Sequence, residues 1–384
     1  MADVHGVCGE RFAAVRSLLR QNLDSGAELG ASLVVDVDGQ LAVDLWGGFR
    51  DESRTVPWTA DTIVNVWSST KTVTSLAALM LVDRGELDPG APVAKYWPEF
   101  AASGKQDITV SQVMSHSSGV SGLEHPAVLA DMYDWERSTA RMAAQAPWWP
   151  PGSASGYHAL NYGHLVGEVV RRITGRTLRQ FVAEEIAGPL GADFQIGAAE
   201  RDWPRISDVI LPPPRPLDLA AIDPASPAYK TFTGPVVDPG QANTAAWRRA
   251  DIGASNGHGN ARSVARVMSV LARGGEVDGV RLLSPATIDL IFEEQQNGVD
   301  LVLGLPVRFG LGYGLPRRGL LPWAEDEKVC FWGGWGGSMI IMDVGRRMTV
   351  SYMMNKMGAG VVGSQRSAAY AQAIYAAAVG QPAA

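Results

Sequence analysis

The feature that most constrains the fold is the placement of β-rich segments at both ends of the chain, with a mostly helical stretch between them. Near the N-terminus, residues 31–37 and 40–46 flank Asp38-Gly39, a dipeptide typical of a tight hairpin turn. Near the C-terminus, three further β-rich runs cover residues 328–332, 338–343 and 347–354. We therefore expect one α/β layer that is assembled from both ends of the chain.

Helical periodicity marks the segments around this β-rich material. Helices are predicted over residues 11–23, 68–82, 261–273 and 367–378. Between them, helical runs alternate with loops, and hairpin patterns are scarce. The chain is thus predicted to have an α+β fold, an α/β sandwich with a helical lobe. Residues 1–86 and 261–384 would form the α/β domain, and residues 87–260 a mainly helical, loop-rich domain, with a site in the cleft between them.

A proline-rich stretch, residues 203–240, lies inside the predicted helical domain and includes Pro212-Pro213-Pro214. Such a composition favours irregular or polyproline-like coil. It could link two domains, but its apolar content favours a loop that packs along the surface.

Composition excludes several classes of function. The chain has 384 residues, of which 46% are hydrophobic and 19% are charged, so it can bury a large core. With a net charge of −7, the chain lacks the excess of basic residues that is typical of nucleic-acid binders. The same negative charge disfavours docking on anionic lipid. No apolar run reaches the roughly 18 residues of a membrane helix, and no signal peptide is visible. We expect a cytoplasmic protein with no nucleic-acid or membrane partner.

The metal-binding residue types are sparse and badly spaced. Cys8 and Cys330 are too few for a disulfide framework or a cysteine-rich metal site. The six histidines show no ligand spacing such as H-E-x-x-H. We therefore expect neither a metal nor a cofactor.

The sharpest local motif is Ser68-Ser69-Thr70-Lys71, an S-x-x-K at the predicted start of a helix. Residues at i and i+3 share one helix face, so Ser68 and Lys71 would point into the same space. A serine hydroxyl needs a proton acceptor to become a nucleophile, and burial favours the neutral, proton-accepting form of lysine. Only two of the four positions in this motif are fixed, however, so the motif alone also fits ordinary surface residues of a helix.

A second serine motif competes with the first. Gly253-Ala254-Ser255-Asn256-Gly257 is a literal G-x-S-x-G, which in α/β-hydrolases lies at a strand-to-helix turn. The preceding residues 243–252 show no strand pattern, and the next predicted helix begins only after Asn260. We therefore interpret this segment as a glycine-rich loop that can line the cleft, with Ser255 as the weaker candidate nucleophile.

The order and spacing of several segments resemble the serine β-lactamase and penicillin-binding-protein superfamily, and more narrowly the class C-like esterases known as family VIII carboxylesterases. The resemblance spans most of the chain. It rests on residues 65–71, Val113–Gly119, Pro151-Gly152 with Tyr157-His158-Ala159, residues 163–175, and residues 331–338. It implies an antiparallel sheet flanked by helices, with an inserted helical domain.

The resemblance also implies roles. Ser68 would be the acylated nucleophile, and Lys71 and Tyr157 would share its proton and pass it to the leaving group. The backbone N–H groups of Ser68 and Trp335 would form the oxyanion hole. Adjacent glycines near Trp335 would let the backbone approach a bound acyl group. Each of these assignments has an alternative. Tyr157 could be an ordinary buried tyrosine that hydrogen-bonds to a loop carbonyl, and the adjacent glycines could form a simple tight turn.

Two departures from the family pattern bear on the substrate. Ala159 stands where β-lactamases usually carry Asn, and Trp332-Gly333-Gly334 replaces Lys-Thr-Gly. An indole cannot pair with the carboxylate of a β-lactam, so the change favours neutral, apolar esters. Trp332, Gly333, Gly334 and His158 are the predicted substrate-binding residues, although a solvent-facing His158 fits the sequence equally well.

The predicted activity is cleavage of short-chain carboxylic esters, a small-molecule reaction, with weak β-lactam hydrolysis as a side reaction. An acyltransferase, and an amidase, peptidase or β-lactamase, fit the same residues. A non-catalytic binding module is a further alternative. The oligomeric state does not follow from the sequence.

Overall fold

The strands and helices follow the predicted pattern closely at both ends of the chain in the computed structural model, which describes residues 3–212, 222–317 and 328–378. The strands are β1 (Val4–Cys8), β2 (Gly30–Val37), β3 (Gln40–Gly48), β4 (Ile63–Asn65), β5 (Gln195–Ile196), β6 (Ile206–Ser207), β7 (Gly257–Gly259), β8 (Glu276–Val277), β9 (Val280–Arg281), β10 (Gln296–Val299), β11 (Pro306–Phe309), β12 (Val329–Gly333), β13 (Met339–Asp343) and β14 (Met348–Met354).

The α-helices lie before, between and after these strands. They are α1 (Ala13–Ser25), α2 (Thr70–Asp83), α3 (Val110–Met114), α4 (Trp135–Ala144), α5 (Asn161–Thr174), α6 (Leu178–Phe181), α7 (Gly188–Leu190), α8 (Pro227–Thr233), α9 (Ala245–Arg249), α10 (Ala261–Ala272), α11 (Pro285–Leu290) and α12 (Gln365–Ala378). A π-helical turn, Val182–Ala187, joins α6 to α7.

The main sheet has the strand order β1-β3-β2-β14-β13-β12, and every neighbouring pair in it is antiparallel. The predicted turn at Asp38-Gly39 joins β2 to β3, with φ angles of 52° and 85° at its two residues. Strand β14 pairs with β2, opposing Val350 to Val35. The two ends of the chain therefore meet in the middle of one sheet, which confirms the predicted fold class.

Both faces of this sheet are covered by helices because its strands bury alternate residues on opposite sides. Leu33 and Val35 of β2 belong to the core that includes residues of α1 and α12. Val34, between them, packs into the larger core that includes α10. Each such buried aliphatic side chain stabilises the fold by about 2 kcal/mol.

The region predicted to be helical also contains short strands. β5, β6 and β7 join β4 in a small sheet of order β5-β7-β4-β6, in which β4 and β6 run parallel. The expectation of coil over 203–240 is wrong for residues 227–233, which form α8. Ser226 caps this helix by accepting the Tyr229 N–H, and Pro227 occupies its first turn. Pro213 and Pro214 lie outside the described residues.

Two further observations bear on predictions made above. Cys8 and Cys330 are both free thiols. Within the described ranges, the helices are too short or too polar to cross a bilayer.

Candidate active site

The segment around Ser68 forms a sharp turn between β4 and α2. The Val66 N–H donates to the Gly257 carbonyl at 2.8 Å and ends the strand. Trp67 then adopts a φ of 51°, which is rare for a residue other than glycine, so the surrounding structure must hold it in place. Ser68 follows in a 3-10 turn, Trp67–Ser69, that leads into α2. Because Ser68 lies in the first turn, its N–H has no intrahelical acceptor and can bind an anion.

Lys71 lies one turn further along and contacts Ser68. Its Nζ lies 3.0 Å from Ser68 Oγ, 2.8 Å from the Ala159 carbonyl oxygen and 2.9 Å from the Ala254 carbonyl oxygen. Burial holds the pKa of Lys71 well below its ordinary value. In its neutral form the amine has two N–H bonds and one lone pair, so the two carbonyls can take the N–H bonds and leave the lone pair for the Ser68 hydroxyl.

Tyr157 completes the cluster from the other side of Ser68. Its side chain is buried, and Ser68 interacts with its hydroxyl, which offsets part of the pKa increase caused by burial. The Trp332 indole N–H also donates to this hydroxyl at 3.4 Å, and Lys71 Nζ lies 4.7 Å from the centre of the Tyr157 ring. Burial raises the pKa of Tyr157 to about 12, so the phenol stays protonated at neutral pH. Ser68 thus lies beside an amine whose pKa burial lowers and a phenol that burial keeps protonated.

The glycines after Trp332 allow the end of β12 to approach the serine turn closely. A Cβ on Gly334 would lie 2.7 Å from the Val66 carbonyl oxygen and 2.9 Å from Trp67 Cβ, so only glycine fits without displacement. Ser338 fixes this approach, because its hydroxyl donates to the Val66 carbonyl at 2.8 Å. Trp335 follows the glycines, and its N–H donates to no backbone carbonyl in the part of the chain that the structure describes.

The structure places His158 in the interior and not on the surface of the cleft. It is fully buried, with Nε2 2.6 Å from Ser118 Oγ and Nδ1 2.6 Å from the Gly156 carbonyl oxygen. Burial lowers the pKa of His158 to about 4, so the ring is neutral. Both ring nitrogens already have protein partners, so the alternative of a solvent-facing His158 is wrong, while its contact with substrate stays a prediction. Its backbone N–H donates to His116 Nδ1 at 3.1 Å, so His116 satisfies a buried backbone group.

A buried carboxylate that the sequence analysis missed holds Tyr157 in position. Asp300 Oδ1 accepts the N–H of Tyr157 at 3.0 Å and the N–H groups of Val302 and Leu303 at 2.9 Å each. Asp300 is completely buried, and its charge contributes to the raised pKa of Tyr157. Its position in a segment without a recognisable motif gave no signal for this contact.

Comparison with known proteins assigns the family. A family profile described as "Beta-lactamase" matches residues 15–374. The chain belongs to the β-lactamase family. It is 36% identical over 334 residues to the esterase/beta-lactamase LipL of Mycobacterium tuberculosis, covering 83% of this chain and 76% of LipL.

Two solved structures of related proteins share the whole fold. A family VIII carboxylesterase is 37% identical, with a TM-score of 0.91, and the match covers 98% of this chain and 100% of the other. A penicillin-binding-protein homolog from Caulobacter crescentus is 39% identical, with a TM-score of 0.89 and the same coverage. The resemblance seen in the sequence is therefore confirmed.

In this β-lactamase family chain, the G-x-S-x-G segment forms a loop and not a nucleophile turn. It precedes the short strand β7, whereas the motif in α/β-hydrolases follows a strand. Ser255 is buried, and its N–H donates to the Ile252 carbonyl at 2.9 Å. The segment still contributes to the site, because the Ala254 carbonyl binds Lys71.

A groove in the helical region is larger than the cleft beside Lys71, with about 990 Å³ of empty space against about 170 Å³. Its arginines are already engaged: Arg205 pairs with Asp193 and Asp202, and Arg179 donates to two backbone carbonyls. Size therefore does not identify the reactive centre: of these two spaces, only the smaller one is lined by a predicted catalytic residue, Lys71.

Among the described residues, no group of three histidine, cysteine, aspartate or glutamate side chains could hold a metal ion.

Proposed function

We propose that this chain is a serine hydrolase that cleaves short-chain carboxylic esters through an acyl-enzyme on Ser68, with no cofactor. The observation that carries the proposal is the 3.0 Å contact between Ser68 Oγ and the buried amine of Lys71, whose Nζ lies 4.7 Å from the centre of the Tyr157 ring. A hydroxyl between a proton acceptor and a proton donor is the arrangement that nucleophilic catalysis requires. A non-catalytic binding module would have no need for a buried, neutral lysine at this position.

In the acylation step, the neutral Lys71 amine takes the Ser68 proton as Oγ attacks the ester carbonyl carbon. The new Oγ–C bond turns the carbonyl oxygen into an oxyanion. When the oxyanion collapses, the bond between the carbonyl carbon and the alcohol oxygen breaks. Tyr157 gives its proton to the departing alcohol oxygen and regains one from the Lys71 ammonium, so the products are an acyl-serine and a neutral alcohol.

In the deacylation step, a water molecule replaces the alcohol. The neutral Lys71 amine accepts a proton from the water while the water oxygen attacks the acyl carbon. When the resulting oxyanion collapses, the bond between the acyl carbon and Ser68 Oγ breaks, Tyr157 gives its proton to Oγ, and the Lys71 ammonium returns a proton to Tyr157. The carboxylic acid then departs. Because a chemically similar alcohol or amine could attack in place of water, acyl transfer is the natural side reaction of this arrangement.

The oxyanion hole in this proposal consists of the N–H groups of Ser68 and Trp335. Two observations support this choice. The Ser68 N–H has no intrahelical acceptor, and Gly334, next to Trp335, lies close to the serine turn. Losing one such donor typically costs about 10² to 10³ in rate.

The two predicted domains each supply part of the site. Ser68, Lys71 and Trp332 come from residues 1–86 and 261–384, whereas Tyr157 and the Ala254 carbonyl come from residues 87–260. We therefore propose that the chain divides into two domains after residues 86 and 260, and that catalysis takes place where the two domains meet.

Trp332 supports neutral esters over β-lactams as the preferred substrates. It lies beside Tyr157, with ring centres 5.4 Å apart, and offers only an indole N–H where a carboxylate would need a cation. The names of the relatives, an esterase/beta-lactamase and a family VIII carboxylesterase, agree with ester cleavage as the main activity and β-lactam hydrolysis as a weak one.

The test is an activity panel on the wild type and on Ser68→Ala: short p-nitrophenyl esters, a chromogenic cephalosporin and a p-nitroanilide. We expect ester hydrolysis well above the other two, and its loss in Ser68→Ala. Faster cleavage of the cephalosporin or the anilide than of any ester would refute the assignment. Addition of an alcohol acceptor, with product analysis, measures the share of acyl transfer.

A further inference from the structure

An apolar wall surrounds Tyr157. Tyr157 is buried together with Val302, Phe309 and Trp332 in a small cluster separate from the two main cores. Five half-buried side chains pack against this cluster, and we call them the Tyr157 wall: Ala159, Phe232, Leu303, Val307 and Val362.

The Tyr157 wall comes from separate segments that converge on the cluster containing Tyr157. Phe232 belongs to α8, Leu303 and Val307 lie in and after the turn between β10 and β11, and Val362 precedes α12. Because these side chains are only half buried, part of each apolar surface faces the outside. Side chains that serve only the core are normally buried completely.

Further apolar residues next to the wall are exposed. Leu305 is 57% exposed and Val299 is 62% exposed, both in or beside the β10–β11 turn. Val361, adjacent to Val362, is 39% exposed. Contiguous exposed apolar surface around a site marks a place where an apolar partner or ligand binds.

The β10–β11 turn is fixed to the tyrosine. Asp300 Oδ1 accepts the N–H groups of Tyr157 and Leu303 together, so one carboxylate oxygen joins the wall to the phenol. The Leu301 N–H also donates to the Ser155 carbonyl at 2.8 Å, two residues before Tyr157. Wall and phenol therefore keep a fixed relative position.

Resting on the proposed function, we propose that the Tyr157 wall is the leaving-group subsite and that it selects esters with a bulky, apolar alcohol portion. A general acid must lie within hydrogen-bond distance of the oxygen that it protonates. If Tyr157 protonates the departing alcohol, the carbon skeleton of that alcohol extends from the phenol toward the side chains around it. These side chains are uncharged, so a neutral apolar group is the occupant that fits them.

The experiment compares three esters in a pH-stat assay: methyl acetate, 1-naphthyl acetate and methyl butyrate. The variants are Val362→Thr, which keeps the side-chain shape but adds a hydroxyl, and Leu303→Asn. The matched control is Val7→Thr, an exposed valine on β1 at the opposite edge of the main sheet from β12. The measured quantity is the ratio of kcat/KM for 1-naphthyl acetate to that for methyl acetate.

We expect this ratio to fall about fivefold in Val362→Thr and in Leu303→Asn, and to keep its wild-type value in Val7→Thr, since one apolar contact in a pocket contributes on the order of tenfold in selectivity. An unchanged ratio in both wall variants would overturn the subsite. So would an equal fall in the ratio of methyl butyrate to methyl acetate, which would assign the wall to the acyl group. A wild type that hydrolyses none of the three esters would instead refute the proposed function.

Discussion

Two segments of this chain present a serine in a recognisable motif, and the structure gives them opposite environments. Ser68 lies in the first turn of a helical segment, 3.0 Å from a lysine amine whose pKa burial lowers. Ser255 lies in the loop before β7, buried, with its own N–H donating to Ile252. Of the two serines, only Ser68 combines a neighbouring proton acceptor with a backbone N–H that lies at the start of a helix and has no intrahelical acceptor.

The difference shows that a nucleophile is defined by what surrounds the hydroxyl and not by the letters around it. The two segments are nevertheless connected. The Ala254 carbonyl, beside Ser255, takes one of the N–H bonds of Lys71 and so helps to aim its lone pair at Ser68. The G-x-S-x-G loop therefore supports the site through its backbone.

Replacing each serine in turn tests this comparison most strongly. We expect Ser68→Ala to lower kcat/KM for p-nitrophenyl acetate about 10⁴-fold or more, since loss of a nucleophile removes the covalent route. Ser255→Ala should stay within about threefold of wild type, because a hydroxyl outside the site contributes little. Intact-mass analysis after treatment with a serine-directed phosphonate should show one adduct, absent in Ser68→Ala. An adduct that is lost in Ser255→Ala instead would make Ser255 the nucleophile.

A change of the base gives the next largest effect. Lys71→Arg should lower kcat/KM about 10³-fold, because a guanidinium cannot lose its proton and so cannot accept one from Ser68. Lys105 is the matched control: it is equally buried and binds the Ala102, Ala143 and Gln145 carbonyls, but it contacts no serine. Lys105→Arg should lower the melting temperature with kcat/KM within about threefold of wild type, as expected for a lysine with a structural role. Similar losses of activity in the two variants would argue against Lys71 as the base.

The same amine predicts the pH dependence of the wild type. Burial lowers the pKa of Lys71, so the reactive neutral form predominates above that lowered value and is lost as the pH falls through it. kcat/KM should therefore fall about tenfold for each pH unit on the acid side. On the alkaline side it should stay level to about pH 10, since the pKa of Tyr157 is about 12. Activity that rises steadily up to pH 10 would mean that Lys71 keeps an ordinary pKa.

Asp300→Asn tests how the tyrosine is held. The amide oxygen can still accept the three N–H groups, but the charge that helps to raise the pKa of Tyr157 is gone. We expect kcat/KM to fall about tenfold and the alkaline limb to move to lower pH, a shift that a purely structural residue would not cause. Asp343→Asn is the control, a buried aspartate at the far end of β13 that pairs with Arg346. An unchanged alkaline limb in Asp300→Asn would limit Asp300 to a structural role.

Much of this arrangement follows from local patterns in the sequence. The Asp38-Gly39 turn, the helix that begins near Ser68 and the strands at both chain ends depend on short-range spacing, and the structure confirms them. The helical i and i+3 relation alone brought Lys71 next to Ser68. Resemblance to the family, and not periodicity, pointed to Tyr157.

What the sequence could not provide are contacts between distant segments and contacts made by the backbone. Asp300 acts on a residue 143 positions away, and nothing in the sequence around it distinguishes it from an acid on the surface. The Ala254 carbonyl has no signature, because every residue carries one. The burial of His158 depends on Ser118 and Gly156 closing around its ring, which only the folded chain shows.

The smallest predicted effect isolates the link between the two serine segments. A Cβ on Gly253 would lie 2.9 Å from Thr74 Oγ1, which donates to the Gly253 carbonyl, and closer still to the Leu178 side chain, so Gly253→Ala strains the loop that holds the Ala254 carbonyl. We expect kcat/KM to fall about fivefold as Lys71 loses alignment, whereas Ser255→Ala, in the same loop, leaves that carbonyl in place. Gly345→Ala is the control, since its Cβ would meet only ordinary contacts in the turn between β13 and β14. If Gly253→Ala folds with wild-type kcat/KM, Lys71 does not need this carbonyl, and the two segments are independent after all.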